Sequence, residues 1–504
     1  MNKIKYIFIV VVAIATLLNG CDDFGDMNKN PNAPTSIENN PELLMTYLTR
    51  NLPETIAMQG WSDGSSLMAQ YNAKIVFTGF DLFDWGSNSG YWNALYTYAR
   101  NCNNLEAIGH SGYKAVSQTL KAVVFHQLVD NWGDVPYSEA LQAKTEKNYT
   151  PKYDKGEDIY LDLVKKLDEA NTLYSNNTAG IVGDVLNDND LSLWRKFNNS
   201  LMLRLYMRMS EVKPDIAKAG IAKILADPGK YPILSSSNEN VALTYFEARP
   251  NTWPVHTSRV GSFDENRMSE TIESVLKAYD DTRMKLWFRP TSASVTAGNP
   301  EWAGMKNGLS DGVAYNYKGG SLNLSRWGEI FFEYPNAAES ILMLHSEVEF
   351  IIAEAIQRGW TGGDQKTHYE NGIKSSFEYW NSRAAVMGQS LEMPSDYLSK
   401  TWAPKTDYNK DLNVNVAYDG SLAQIIVQKW ISHIMVAYEG FNDYKRLGIP
   451  NIIKPGPDAI YSFMPNRYAY PSEEQALNGA NRAEAATRLQ PNGDDIRSKV
   501  FWQK

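Results

Sequence analysis

Three spacings in this chain invite a catalytic or metal-binding reading, and each fails on its surroundings. Gly308-Leu309-Ser310-Asp311-Gly312 matches G-x-S-x-G, the turn that lifts a nucleophilic serine out of an α/β sheet. That elbow needs a strand before it and a helix after it. Here the neighbourhood is a Gly- and Asn-rich loop, and 34 glycines make chance matches common. His345-Ser346-Glu347-Val348-Glu349 lacks the H-E-x-x-H spacing that sets two zinc-binding imidazoles on one helix face. Asp184, Asp188 and Asp190 could suggest calcium, but the glycine and closing glutamate of an EF-hand loop are missing, so solvated loop acids are the simpler reading. Glu354 and Arg358 are spaced for an ion pair on a helix surface. A glycosidase needs two carboxylates about 5–9.5 Å apart, and 58 acids supply pairs by abundance alone. Two cysteines cannot build a Cys-ligated zinc site, and six histidines show no ligand spacing. No catalytic residue, metal or cofactor is expected.

Binding chemistry has more support. The chain holds 14 Trp, 29 Tyr and 17 Phe, and several fall where Gly and Asn break any helical period. Asp81, Phe83, Trp85 and Asn88 share one such stretch, and Trp302, Tyr315, Tyr317 and Trp327 stud another, the 289–338 segment. Aromatic faces meet the C–H faces of sugar rings, while Asp81, Asn88 and Asn316 could bond hydroxyls. The eight residues of the two stretches form the candidate ligand-binding set. Trp85 and Trp302, helped by Phe83 and Tyr315, are its expected platform. The alternative is that these rings staple long loops onto a helical core.

Something must position such loops, and the rest of the sequence describes it. The 504 residues are 43% hydrophobic and 21% charged, ample for a buried core and unlike a disordered chain. A net charge of −9 without a basic block excludes nonspecific nucleic-acid binding. Lys3 and Lys5 precede an apolar run from Tyr6 to Leu18, too short to span a bilayer and laid out as a secretory signal. Leu18-Asn19-Gly20-Cys21 after it resembles a bacterial lipobox, which predicts cleavage of residues 1–20 and acylation of Cys21. Cleavage removes two lysines and no acid, taking the charge from −9 to −11. It leaves Cys102, on the same helical face as Trp92, Leu95 and Ala99, as an inert core thiol. Residues 21–40 read as a polar tether. Its Asp22-Asp23-Phe24-Gly25-Asp26 start is similar to surface-export signals of some Gram-negative lipoproteins, or is plain solvated linker.

From 41 to 504 the pattern is mostly α. Apolar residues recur at three- and four-residue steps over Trp92–Ile108, Val116–Gln127, Tyr160–Tyr174, Trp194–Leu205, Ile341–Ala355, Tyr369–Ala384 and Leu422–Val436, with residues 472–489 as partner of the last. Four helix pairs of this size suggest a tetratricopeptide-like framework without a strict repeat. Long Gly/Pro/Asn-rich segments interrupt it at 60–90, 228–265 and 289–338.

One ordered set of motifs goes further. Asp130-Asn131-Trp132-Gly133-Asp134-Val135-Pro136-Tyr137, Trp194-Arg195-Lys196-Phe197-Asn198-Asn199-Ser200-Leu201, Glu354 to Trp360, Gln428 to Ile431, Tyr444 to Pro450 and Pro465 to Pro471 follow one another along the chain. Together they resemble the SusD/RagB family of outer-membrane nutrient-binding lipoproteins, on its SusD-like branch. Lys445-Arg446 departs from the paired arginines that the family often has. The resemblance implies a SusD-like fold: four tetratricopeptide-like helix pairs with long irregular ligand-binding loops. It implies a lipid-anchored lid over a SusC-like TonB-dependent outer-membrane transporter, capturing oligosaccharide and less often peptide. A peptide-binding or purely assembling lipoprotein is the alternative. By the physics of their residues the motifs themselves hold the scaffold, with Gly133 permitting a turn, Pro136 fixing its φ and Asp134 capping nearby backbone.

Overall fold

The computed structural model describes residues 40–504 apart from 62, 177–179 and 258–261. The expected signal peptide at 1–20, Cys21 and the tether up to residue 39 lie outside the described residues. The apolar stripes fold as helices. After α1 (Pro41–Met58), α2 (Ser89–Ala107) buries Trp92, Leu95, Ala99 and Cys102 on one face. That face packs on α3 (Ser111–Trp132), which is buried on nearly every side because α4 (Gly156–Asn176) covers its other flank. α5 (Leu191–Arg208) packs on α4, and α6 (Pro214–Ala226) on α5. Asp190 caps α5, accepting the backbone N–H of Ser192 at 2.7 Å. Two short helices, α7 (Glu270–Ala278) and α8 (Arg283–Trp287), precede the long pair α9 (His345–Gln357) and α10 (Gln365–Val386). α11 (Leu422–Ser432) and α12 (Glu439–Leu447) follow, then α13 (Ser472–Leu477) and α14 (Gly479–Arg488).

Among the described residues the strands are short and come in three antiparallel pairs: β1 (Asn72–Lys74) with β5 (Asn266–Met268), β2 (Val135–Pro136) with β3 (Tyr153–Asp154), and β4 (Val241–Leu243) with β6 (Ser340–Met343). Two expectations are corrected. Ile341 belongs to β6, and α9 begins only at His345, because β6 pairs with β4 through its backbone. Residues 472–489 do not partner α11, which turns directly into α12. Instead α14 docks on β3, with Arg488 donating to Asp134 at 2.6 Å and to the Tyr153 carbonyl at 2.9 Å. No helix among the described residues is long and apolar enough to cross a membrane.

The ordered motifs meet in space. Gly133 ends α3 at φ +88, a conformation that favours glycine, and a Cβ there would lie 2.9 Å from Leu489. Asp134 accepts the Gly156 N–H at 2.9 Å, while Tyr137 sets its ring edge-on to Phe125 and donates to Asp162 at 2.6 Å. The 465–471 segment wraps this turn: Arg467 donates to the Trp132 carbonyl, the Tyr468 N–H to Asn131, and the Tyr470 hydroxyl to Asp134. Beneath it lies a buried ionic layer drawn from five helices. It contains His126 and Asp130 of α3, Arg204 and Arg208 of α5, Glu347 and Glu354 of α9, Lys429 of α11 with His433 just past its end, and Glu439, Asp443 and Arg446 of α12. Arg204 grips Glu347 at 2.7 and 2.6 Å, Arg446 grips Glu354, Arg208 pairs with Glu439, and Lys429 with Asp443 at 2.9 Å. The Glu354–Arg358 pair forms at 2.9 Å, but Glu354 is buried rather than on the surface. Lys445 ends on the carbonyls of Asp130 and Asn466, with its ammonium 4.9 Å from the Trp502 ring, so a lysine fits where an arginine is common.

Candidate ligand-binding site

The loops gather on a small platform of their own. β1 and β5 pair with Asn72 opposite Met268, and the next residue, Ser269, caps α7 by accepting the Thr271 N–H at 3.0 Å. The 301–307 segment runs beside the start of α7, the Glu270 N–H donating to Met305 and the Met305 N–H to Met268. A satellite core of Ala73, Ile75, Met305, Leu309, Ala314 and Leu324 lies under this crossing, separate from the main one, with the Tyr317 ring packed on it.

A cleft of about 380 Å³ opens at the start of α7, lined by Glu270, Glu273, Lys306, Tyr317, Lys318, Thr406, Asp407 and Tyr408. Its floor is wired before any ligand arrives. Glu270 accepts from the Tyr317 hydroxyl and pairs with Lys318, both at 2.8 Å. Glu273 accepts the Gly304 N–H and pairs with Lys277, again at 2.8 Å. Gly304 is required there, because a Cβ would come within 2.8 Å of the Glu270 nitrogen. Burial first, and Glu270 second, push the Tyr317 phenol well above its ordinary value, so it stays a neutral donor. Burial raises Tyr408 as well. Lys306 and Asp407 make no ion pair with any described residue. Two half-buried phenol rings, one free cation and one free anion therefore face an otherwise satisfied polar floor. Such a surface can hold a polyhydroxylated ligand by ring contacts and hydroxyl bonds.

Of the eight residues singled out by sequence, only Tyr317 lines this cleft. Tyr315 is 60% exposed at the end of the short helix Asp311–Tyr315. Phe77, Val313 and Leu322 are exposed as well, and the Thr78 N–H next to Phe77 donates to Asp311 at the start of the Tyr315 helix at 2.8 Å. Trp302 is half-buried with its indole N–H on the Phe288 carbonyl, and its own carbonyl accepts from Lys277. The expected platform is not assembled. Trp85 is only 7% exposed, stacked on Phe80 at 5.5 Å and flanked by Phe83, Phe441 and Tyr468. Phe83 is buried beside it, and Trp327 lies between Trp61 and Phe288. Protein already covers the faces of these three rings. Asp81 is buried too, accepting from Asn307 at 2.8 Å and from the Lys74 N–H; burial pushes its carboxyl up to about 6. Asn88, at φ +47, donates to Gln59 at 3.0 Å at the entrance to α2. Sequence reasoning passed over Glu270, Glu273, Lys306, Lys318, Thr406, Asp407 and Tyr408. The one available signal was Trp402 and Tyr408 in a stretch of Asp407, Asn409, Asp411 and Asn413 that breaks any helical period, as the 77–92 stretch does.

The catalytic and metal spacings resolve into structure. The Ser310 hydroxyl donates to Asp458 at 2.8 Å, and Gly308 lies where a Cβ would sit 2.8 Å from the Gly456 Cα, so this G-x-S-x-G is a loop crossing. Asp184 accepts the N–H groups of Leu186, Asn187 and Asn189 and the Trp194 indole, which organises its own loop. His126, Asp130 and Glu439 bring ligand atoms within 4.8 Å of one another. Arg208 already pairs with both carboxylates and Arg204 lies 3.7 Å from Glu439, so the positive charge there is guanidinium.

The profile of the SusD-like family described as starch-binding and associating with the outer membrane matches residues 31–471. Among solved structures, a candidate outer-membrane nutrient-binding protein from Bacteroides vulgatus is 26% identical, with a TM-score of 0.79, covering 92% of this chain and 100% of its own. A SusD homologue from Bacteroides fragilis is 25% identical with a TM-score of 0.76, over 92% of this chain and 99% of its own. A chitin-binding SusD homologue from Flavobacterium johnsoniae is 24% identical with a TM-score of 0.75, over 92% and 98%. No curated protein sequence matches significantly.

Proposed function

The chain belongs to the SusD-like family of outer-membrane-associated proteins, and on that premise we propose that it is a glycan-binding surface lipoprotein rather than an enzyme. The single observation that carries the reading is the cleft at the start of α7, where Tyr317 and Tyr408 stand over hydrogen-bonding groups already held in position. A family described as starch-binding, and a chitin-binding neighbour of the same fold, point to the same ligand class. In this reading Cys21 carries the lipid, residues 22–40 are the tether, and a SusC-like TonB-dependent transporter receives the captured oligosaccharide. Exposed Tyr315, two residues before Tyr317, extends the ligand-facing surface.

The free pair Lys306 and Asp407 favours a second reading, a peptide ligand whose termini meet opposite charges. One screen separates the two. A soluble chain of residues 22–504 is tested on a glycan array and against a peptide library, and hits are titrated by calorimetry. Tyr317→Ala and Tyr408→Ala should each weaken glycan binding about tenfold, from the loss of one ring contact of about 1–2 kcal/mol, measured at a temperature where melting curves show each variant still folded. Peptide hits without glycan hits would replace the first reading with the second. Glycan binding untouched by both substitutions would move the site elsewhere.

A further inference from the structure

We infer that the cleft is one end of a longer groove, and that the ligand is therefore a linear chain rather than a single sugar or a compact branched cluster. This rests on the glycan-binding reading above. Two further cavities follow the first along the same edge. The second, of about 380 Å³, is lined by Leu276, Lys277, Lys285, Glu301 and Lys405 among others. The third, of about 410 Å³, is lined by Leu286, Gln389, Leu391 and Glu392, and it shares Thr282 and Lys285 with the second. The first two adjoin on both walls. Glu273 of the first and Lys277 of the second are joined at 2.8 Å on α7, and Thr406 and Lys405 are consecutive in the opposite wall.

Size and composition decide between three separate dimples and one groove. Each cavity alone sits at the low end of the roughly 300–1,000 Å³ that small-ligand sites occupy, whereas the three in line exceed it. α7 advances about 1.5 Å per residue, so the floor from Glu270 to Lys277 already runs about 10 Å before α8 extends it. Leu276, Leu286 and Leu391 are buried beneath the lining, and the exposed groups along it are polar: Glu301, Lys405, Gln389 and Glu392. A row of sugar hydroxyls can bond such groups along its length. The far wall is fixed, since Asp280 pairs with both Lys400 and Lys405 and so ties the 400–408 segment to the end of α7.

The test uses the soluble chain of residues 22–504 with maltooligosaccharides and chitooligosaccharides from disaccharide to hexasaccharide. In the series that binds, affinity should rise about tenfold or more from disaccharide to hexasaccharide. A Lys285→Ala/Gln389→Ala double variant, altered at the end remote from Tyr317, should shrink that ratio about fivefold or more. Tyr317→Ala should weaken every length. Equal affinity across lengths, or a ratio that the double variant leaves intact, overturns the groove while the Tyr317 effect keeps the binding reading standing. If neither series binds, the length series is repeated with the glycan the array identifies; an array without any glycan hit removes the binding reading and the groove with it, and a binding series that Tyr317→Ala leaves unchanged overturns the groove and moves the site elsewhere.

Discussion

Replacing Asp130 by asparagine tests whether the charge at the centre of the molecule stabilises the fold or only fills space. The carboxylate is fully buried. It accepts from the Tyr160 hydroxyl, the Trp502 indole at 2.8 Å, His126 at 3.3 Å and Asn442 at 3.4 Å, with Arg208 at 3.9 Å. Burial alone would raise it; Arg208, then His126 and Tyr160, outweigh burial and hold it down at about 2 against an ordinary 3.8. That gap corresponds to about 2.5 kcal/mol of stability. The sign follows from the folded state holding the proton less tightly than the unfolded chain. The contribution is complete above about pH 4 and is lost as pH falls toward about 2. Asparagine keeps the shape and one acceptor oxygen but no charge, and Arg208 retains Glu439. Asp130→Asn should therefore unfold about 2.5 kcal/mol more readily in urea near neutral pH, and the two proteins should converge between about pH 4 and pH 2. Urea titrations followed by tryptophan fluorescence across that range measure both quantities. A deficit that stays constant with pH would refute the ionic account.

Three further outcomes are expected. Trp85→Ala should lower stability by about 3–5 kcal/mol, because it empties an aromatic cluster; a thermal melt unchanged from the parent would return this ring to the ligand-facing set. Cys102 is fully buried and its thiol is pushed up to about 12 by burial, so in a chain starting at residue 22 a thiol reagent should react about a thousandfold faster after unfolding than before. Full labelling within minutes in native buffer would contradict the packing. Cys21→Ser should release the protein from sedimenting membranes, since acyl chains supply about 0.8 kcal/mol per buried CH₂; retention after carbonate washing would mean that another contact holds it.

Local periodicity made the scaffold readable. The Trp92, Leu95, Ala99 and Cys102 stripe became a buried helix face, and the motif around Gly133 became the turn its residues require. What could not be read was how far each loop sinks. Gly and Asn around Trp85 correctly marked an irregular segment, but its burial is decided by Phe441 and Tyr468, which arrive from far along the chain. Ile341 fits a helical stripe as well as a strand, and only the backbone of β4 decides between them. The cleft was still less legible. Its residues come from four separate segments, near 270, 306, 317 and 407, and each is an ordinary acid, lysine or tyrosine until the β1–β5 pairing and the capped start of α7 bring them together.

The reach of Trp502 to Asp130 spans 372 residues, and this fixes an order of assembly. α2, α3 and α4 are synthesised early and supply His126 and Tyr160 to the carboxylate between them, yet its Trp502 donor comes only with the last few residues, and the Gly133 turn lacks its cover until residues 465–471 and Leu489 arrive. A bare helix-pair array could consolidate from its N-terminus as it is made. This one is completed by its C-terminus. The early pairs therefore remain unfinished until the last residues of the chain are in place.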